Sequence, residues 1–461
     1  MRDAARRQQP LIPKQLDHQR FEELEALSAF LDAHPELAQS VAADLSSKAK
    51  AKRSAAGRPG ATGEQVLRIA LLEQMEALTY RDLAFRLVDS SLFRRFARLP
   101  LGKPLKPAAL QANVKRLKPE TWEKINRVII AAAKAAGLEQ GRKTRTDCTV
   151  VDSNIHHPTD NSLLWDGIRV LGRLLARSQV LVASLDWSFV EDHRVAAKRL
   201  AFEIEFPHGP KDAKPKAREL AYRQLLNLAR QVCDFAVIAE VKLGAAEPAG
   251  VLEGAAVDVV RGELRHYVGL VRRVIDQTRR RVLEGESVPA SEKLVSIFET
   301  HTDIVIKDGR DTLFGHEVCL TGGASSMILD CVIEDGNPAD STLVDRSMQR
   351  VKSIFGRAPK QAAFDGAFAS KDNLAAAKEL GVEDVVFHKK SGIKVKDMAS
   401  SSRVYKRLRN FRAGIEGCIS ALKRGFHMDR ANWRGLEGFK SYVWSCIISF
   451  NALLLARHLA T

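Results

Sequence analysis

The sequence has few cysteines, and their spacing suits neither a metal ribbon nor a disulfide scaffold. The six are far apart and form no Cys-x-x-Cys pair: Cys148, Cys233, Cys319, Cys331, Cys418 and Cys446. This spacing argues against a zinc ribbon and fits a reducing compartment. The pair Gly322-Gly323 lacks the spacing and the following helix of a phosphate-binding loop, so use of a nucleoside triphosphate is not supported.

Long apolar runs and internal repeats are also missing. The first ten residues contain no apolar signal-peptide core, and no uninterrupted apolar stretch reaches the ~20 residues of a membrane helix. The nearest candidate, residues 443–455, is too short and is predicted to be a buried helix. We therefore expect no membrane partner.

The composition is that of a folded protein with an excess of positive charge. Of 461 residues, 45% are hydrophobic and 28% charged, which is typical of globular chains. At about 150 residues per domain, this length suggests roughly three units. The 72 Lys and Arg exceed the 56 Asp and Glu by 16, and they are spread along almost the whole chain. A polyanion is the natural partner of such a surface.

The N-terminal third is predicted to be helical. Residues 1–62 form a helical segment, broken at His34-Pro35, that ends in a basic linker from residue 48. Several short helices with many arginines follow over 63–140, a pattern typical of a helix-turn-helix-like DNA-binding domain. A helical bundle with a charged exterior has the same pattern, so this alternative stays open.

From residue 141 the pattern becomes that of a mixed α/β domain. Strands are predicted at 145–152, 303–307, 315–320, 327–333, 361–364 and 384–388. A long helical block at about 162–285 interrupts them after the first strand, and closing helices are predicted at 411–423 and 436–458. This order indicates one α/β core with a single helical insertion.

Three acidic residues lie in apolar surroundings, where burying an unpaired carboxylate costs free energy unless a cation compensates its charge. Asp147 lies within an apolar strand, Asp365 ends one, and Glu416 lies on a helix among apolar residues. Divalent ions supply such compensation, and carboxylate oxygens suit magnesium or manganese. Taken singly, each acid could equally be a surface carboxylate. Asp152 is a rival to Asp147, but an odd separation on a strand makes the two face opposite sides.

Four sequence blocks resemble the DDE transposases of bacterial insertion sequences, in particular the group named ISNCY. They are residues 146–167, which begin Thr-Asp-Cys-Thr-Val-Val-Asp, and 335–343, 364–368 and 411–417. The resemblance runs from about residue 57 to the C-terminus. It implies an RNase H-like catalytic core over 141–461, with a helical insertion at about 162–290, and a catalytic triad of Asp147, Asp365 and Glu416. It also implies that the triad binds two Mg²⁺ or Mn²⁺ ions.

The third acid lies in a recognisable spacing. Related enzymes have Tyr, two residues, Arg, three residues, Glu, six residues and Lys. Arg412, Glu416 and Lys423 hold this spacing, while Arg409 stands where tyrosine is expected. The resemblance implies that Arg412 and Lys423 hold DNA phosphates, and Arg409 is a further candidate DNA contact. An ion pair between Arg412 and Glu416 within one helix is the structural alternative.

The resemblance implies an enzyme that cuts transposon ends and joins them to target DNA by two-metal phosphoryl transfer. Its expected partners are double-stranded DNA, as terminal inverted repeats and target, and a second copy of the chain in the synaptic complex. The expected location is the bacterial cytoplasm, at the nucleoid. Two alternatives remain: a nuclease of the same fold without strand transfer, and a non-catalytic DNA-binding protein derived from a transposase.

Two other side-chain groups are weaker candidates for a site. His156 and His157 with Asp160 could suggest zinc, but adjacent residues on an extended loop diverge, so a structural or DNA-contacting loop is favoured. Trp165, Trp187 and Trp433 could stack on unpaired bases, although tryptophan more often belongs to the core or to an interface.

Overall fold

The structure is a computed structural model, and it describes residues 18–47, 60–100, 105–247, 250–307, 311–334, 336, 338–389 and 391–460. Most of the predicted basic linker, and Asp335 and Asn337 of the second resemblance block, lie outside these residues. The chain forms two compact units. Unit 1 comprises Met1–Asp152 and Glu317–Thr461, and unit 2 comprises Ser153–His316.

Unit 1 begins with a series of helices. They are α1 (Gln19–Ala33), α2 (Pro35–Ser47), α3 (Gly63–Met75), α4 (Tyr80–Asp89), α5 (Ser91–Phe96), α6 (Pro107–Val114) and α7 (Pro119–Ala135). The predicted break at His34-Pro35 is confirmed. Thr62 starts α3 with a capping box, in which its hydroxyl accepts from the Gln65 amide and Gln65 bonds back to the Thr62 amide, which satisfies amides that the helix leaves unpaired.

Unit 2 is mainly helical. Its helices are α8 (Asp160–Leu181), α9 (Arg194–Glu205), α10 (Lys214–Ala245) and α11 (Val251–Thr278), the last continuing into a π-helical turn, Arg279–Leu283. The predicted helical block is confirmed, but α9 was not predicted as a separate helix. Its buried side is narrow, with Ala197, Leu200 and Ile204, whereas Val195 and Phe202 are exposed, and these exposed apolar residues obscure the helical periodicity.

The strands of the mixed sheet are β1 (Lys143–Ser153), β2 (Asp303–Lys307), β3 (Asp311–Gly322), β4 (Ile328–Ile333), β5 (Gln361–Phe364), β6 (Asp384–Phe387) and β7 (Arg430–Ala431). In unit 1, β1 lies between β3 and β5, and β6 follows β5. The pairs β1–β5 and β5–β6 are parallel, and β3–β4 is antiparallel. In unit 2, β2 pairs antiparallel with the first residues of β3. The predicted mixed α/β class is confirmed.

The rest of unit 1 alternates helices with the later strands. These helices are α12 (Val344–Phe355), α13 (Lys371–Glu379), α14 (Val395–Met398), α15 (Ser402–Arg412), α16 (Gly414–Gly425) and α17 (Leu436–Ala460). The single helix predicted over 411–423 is wrong in one respect, because one turn residue, Ala413, whose backbone stays in the helical region, separates α15 from α16.

The C-terminal helix α17 is the centre of the helical packing in unit 1. Helices α1, α3 and α7 all pack against it, and residues such as Ile447 and Leu455 are fully buried. Within the described residues α17 is the helix long and apolar enough to cross a membrane, but 72% of its most apolar window is buried, as in a core helix. The N-terminal helices thus share a compact unit with the sheet, and a DNA-binding domain over 63–140 stays a prediction.

Candidate active site

Two of the predicted acids lie side by side on the central strands. The parallel register pairs Thr146 of β1 with Phe364 of β5, and Asp147 and Asp365 are the next residues on the two chains. Asp147 points to the partly exposed face of β1, with 17% of its side chain exposed, and Asp365 follows the end of β5 with 36% exposed. Sheet register therefore brings two carboxylates together that are far apart in sequence.

Arg412 connects all three predicted acids. Its Nη1 lies 3.5 Å from Asp147 Oδ2 and 3.2 Å from Asp365 Oδ1, and its Nη2 lies 2.5 Å from Glu416 Oε1. The guanidinium side chain is only 9% exposed, whereas that of Glu416 is 61% exposed. Three carboxylates thus converge on one buried cation, and their catalytic role stays a prediction.

The junction between α15 and α16 sets the positions of Arg412 and Glu416. Arg412 is the last residue of α15, and Glu416 lies in the first turn of α16. The ion pair of the structural alternative is therefore present, but it joins the end of α15 to the first turn of α16 and does not lie within one helix. Gly414 begins α16 where a side chain has no room, since its Cβ would lie 1.7 Å from Arg145 Nη1.

Arg145 holds this junction onto the strand that carries Asp147. Its Nη1 donates to the Phe411 carbonyl (3.2 Å), its Nη2 donates to Ser326 Oγ (3.0 Å), and the guanidinium lies over the Phe411 ring. No role for Arg145 was predicted from the sequence. A charged residue inside an apolar strand, two positions before Asp147 and hence on the same face, was the available signal.

Asp152 lies near the end of β1, and Lys423 of α16 contacts the same part of that strand. The Lys423 amine donates to the Val150 carbonyl (2.8 Å). Burial raises the pKa of Asp152, while nearby Arg430 and Lys423 lower it less strongly. Lys423 therefore lies beside the distal part of β1, three residues beyond Asp147. Arg409 is exposed on α15, one turn before Arg412. The proposed DNA contacts of both residues stay predictions.

A second group with metal-ligand atoms lies on the other face of β1. One ligand atom each of Cys148, Glu317 and Asp340 come within 4.8 Å of one another. A hydrogen bond with Cys319 and burial raise the pKa of the Cys148 thiol, and a cysteine sulfur suits soft metal ions better than Mg²⁺ or Mn²⁺. For Mg²⁺ or Mn²⁺, the all-carboxylate set of Asp147, Asp365 and Glu416 is the better donor set.

The two histidine candidates are exposed, and the tryptophan candidates are buried or partly buried. His156 Nε2 lies 3.7 Å from Asp166 Oδ2, while the His157 ring meets Phe314 edge to face, so the two histidines turn to different partners as expected. Trp433 is 3% exposed, and Trp187 donates to the Val182 carbonyl. Trp433 is thus a core residue, and Trp165 and Trp187 are partly buried against the core of unit 2, in line with the structural alternative.

The comparison with protein-family models gives two matches. The model "Transposase DDE domain" matches residues 307–452, and "Transposase domain (DUF772)" matches residues 13–115. No curated protein and no solved structure matches. Together the two models cover more than half of the chain, and the DDE match contains Asp365, Arg412 and Glu416.

The DDE domain implies an RNase H-like fold, in agreement with the mixed sheet, and a DNA-binding polynucleotidyl transferase or nuclease that depends on divalent metal. The ISNCY grouping stays a prediction. The chain belongs to the DDE transposases of insertion sequences.

Proposed function

We propose that this transposase cleaves the ends of its element and joins them to target DNA, with Asp147, Asp365 and Glu416 as the acidic triad. The observation that supports this most directly is the contact of one guanidinium, that of Arg412, with all three carboxylates. The three acids come from β1, the end of β5 and the start of α16, and unrelated surface charges would not be expected to meet at one point. Their convergence is what a cation-binding centre requires.

The donor set fits Mg²⁺ or Mn²⁺. Three carboxylates offer only oxygen atoms, which hard divalent ions prefer, and the side of the cluster at Glu416 is open. Asp147, Asp365 and Glu416 would hold two ions. When bound, such ions would activate the attacking oxygen and stabilise the leaving oxygen of an in-line displacement.

The reaction proceeds in two phosphoryl transfers. In the first, water attacks a phosphodiester at the transposon end, the P–O3′ bond breaks, and a 3′-hydroxyl is released. In the second, that hydroxyl attacks a target phosphodiester, so one P–O bond forms as another breaks and no external energy source is needed. Positioning and charge stabilisation do nearly all the work, so the chain needs no covalent nucleophile.

Basic side chains around the site would bind the DNA backbone. Arg412 would have to exchange its contacts with the acids for a phosphate, and Arg409 extends the basic surface along α15. Lys423 would have to exchange its bond to the Val150 carbonyl for a phosphate. Phosphate contacts of this kind position DNA without reading its sequence.

We also propose that residues 63–140 contribute DNA binding and that two copies of the chain pair the two ends. On α4, Arg81 and Arg86 are exposed on the same side as Phe85, which is 63% exposed. Arg86 forms an exposed ion pair with Asp89 of the same helix, whereas Arg95 and Arg98 pair with Glu25 and Asp32 of α1. The α4 surface is therefore the part of this region best suited to meet DNA.

A pair of variants on β1 tests the triad. Asp147→Asn removes a carboxylate of the cluster, and Asp152→Asn removes one from the same strand outside it. Single-turnover cleavage of end DNA in Mn²⁺ should fall by roughly three orders of magnitude or more in the first variant and change little in the second, because only the first loses a metal ligand. Equal loss in both variants, or loss only in Asp152→Asn, would contradict the assignment.

A further inference from the structure

We propose that Arg412 and the divalent ions are alternative partners of the same three carboxylates, so that metal binding displaces the guanidinium and releases it to the DNA. The inference rests on the proposed function and deepens it, because it gives Arg412 two positions in the reaction. Arg412 is thus a positioning residue whose release couples metal binding to DNA binding.

The contacts of Arg412 are those that metal ions would need. Asp147 Oδ2 and Asp365 Oδ1 both face Nη1, and Glu416 Oε1 faces Nη2. The cation is more buried than any of its three anions, with 9% of its side chain exposed against 17%, 36% and 61%. Arg412 therefore lies inside the cluster and not at its rim.

Charge makes simultaneous occupation unfavourable. A guanidinium is permanently positive and offers only donors. Divalent ions held by the same oxygen atoms would lie within about 4 Å of it, where like charges repel strongly even at a protein-like dielectric constant. One positive charge also compensates only one of three carboxylates, so the cluster retains attraction for a stronger cation. Entry of metal ions and departure of the guanidinium are therefore linked.

The displaced side chain has a route outward. Arg412 ends α15, and its neighbours Arg409 and Asn410 are exposed. Glu416 forms the exposed side of the cluster, so a guanidinium that rotates past it reaches solvent on the side where DNA would lie. There it can bind a phosphate through paired N–H donors. DNA then stabilises the displaced position, and by thermodynamic reciprocity DNA and metal each strengthen binding of the other.

Mn²⁺ binding to the DNA-free protein tests the exchange. The full-length wild type, Arg412→Gln and the control Arg403→Gln are titrated with Mn²⁺, and free Mn²⁺ is read by electron paramagnetic resonance. Arg403 is exposed on the same helix, so its variant removes the same charge outside the cluster. Arg412→Gln should bind Mn²⁺ about tenfold more tightly or better, while Arg403→Gln should stay within about twofold of wild type.

Two further variants keep the outcome decisive. Arg412→Lys retains the positive charge but not the two-nitrogen fork, so its Mn²⁺ affinity should lie between those of wild type and Arg412→Gln. It also tests the exchange if Arg412→Gln does not fold. Asp365→Asn should bind Mn²⁺ more weakly than wild type. Wild-type affinity in the Arg412 variants with weaker binding in Asp365→Asn overturns the exchange alone. Unchanged binding in Asp365→Asn overturns both the exchange and the proposed metal site.

Discussion

Replacing Gly414 with alanine tests whether Arg145 fastens the α15–α16 junction to β1. The new Cβ would lie 1.7 Å from Arg145 Nη1 and 2.6 Å from its Cζ, so the guanidinium must leave. It would lose its bonds to the Phe411 carbonyl and to Ser326. Arg145 is 6% exposed, so water can replace these bonds only in part.

The expected loss follows from these two bonds. Hydrogen bonds from a charged donor contribute about 1.5–3 kcal/mol each, and partial rearrangement of a flexible side chain recovers some of this. We expect Gly414→Ala to lower the free energy of unfolding by about 2–4 kcal/mol, and the melting temperature by roughly 4–10 °C. End cleavage should also fall, because Arg412 and Glu416 flank the junction.

Gly417→Ala is the matched control. Gly417 lies three residues further along α16, and nothing lies within 4 Å of its added Cβ. Alanine is favoured over glycine in a helix by about 0.5–1 kcal/mol, so this variant should melt at or slightly above the wild-type temperature. Differential scanning fluorimetry and urea unfolding measure both variants. If Gly414→Ala melts as high as Gly417→Ala, Arg145 does not hold the junction in the way described.

Two predictions concern buried charges elsewhere in unit 1. Asp330 is 2% exposed and pairs with Arg350 through two hydrogen bonds of 2.5 and 2.7 Å. Arg350→Met should lower the free energy of urea unfolding by about 3–5 kcal/mol, and adding Asp330→Leu should recover most of this loss. A negligible loss in Arg350→Met would show that the buried pair is unimportant for stability. Burial raises the pKa of Glu73 from 4.5 to about 8. The free energy of unfolding is therefore unaffected by this group below pH 4.5, where it is protonated in both states, and it decreases as the pH rises from there to about 8. Glu73→Gln should therefore gain on wild type over that range by up to about 1.4 kcal/mol per pH unit, and parallel stability curves would contradict the burial of a protonated Glu73.

The sequence predicted the strands of the sheet well where short apolar runs end in turn residues. Residues 303–307 and 361–364 match β2 and β5 residue for residue. The same patterns placed Asp147 within one strand and Asp365 directly after another, whereas only the family resemblance implied that the two acids belong to one site. Local sequence patterns thus predicted the order of strands and helices and the positions of the candidate acids within them.

The features that were not predicted depend on contacts between distant residues. The break at Ala413 occurs where Gly414 packs against Arg145. Arg145 lies more than 260 positions earlier in the chain, so no local sequence pattern predicts the break. The partner of Lys423 is a backbone carbonyl on β1, which its helical spacing from Glu416 could not indicate. The contact of one guanidinium with three acids likewise exists only once the sheet register is set.

The central claim is that this chain performs metal-dependent DNA cleavage and joining at one acidic triad. It is tested most directly by assaying both steps on DNA that carries the element's own ends, with Mg²⁺ or Mn²⁺ and with EDTA, for wild type and Asp365→Asn. We predict cleaved ends and joined target products for wild type with metal, and neither with EDTA or in the variant. DNA binding with equally negligible chemistry in both proteins would contradict the account and favour a non-catalytic DNA-binding protein, and cleavage without joined products would favour a nuclease.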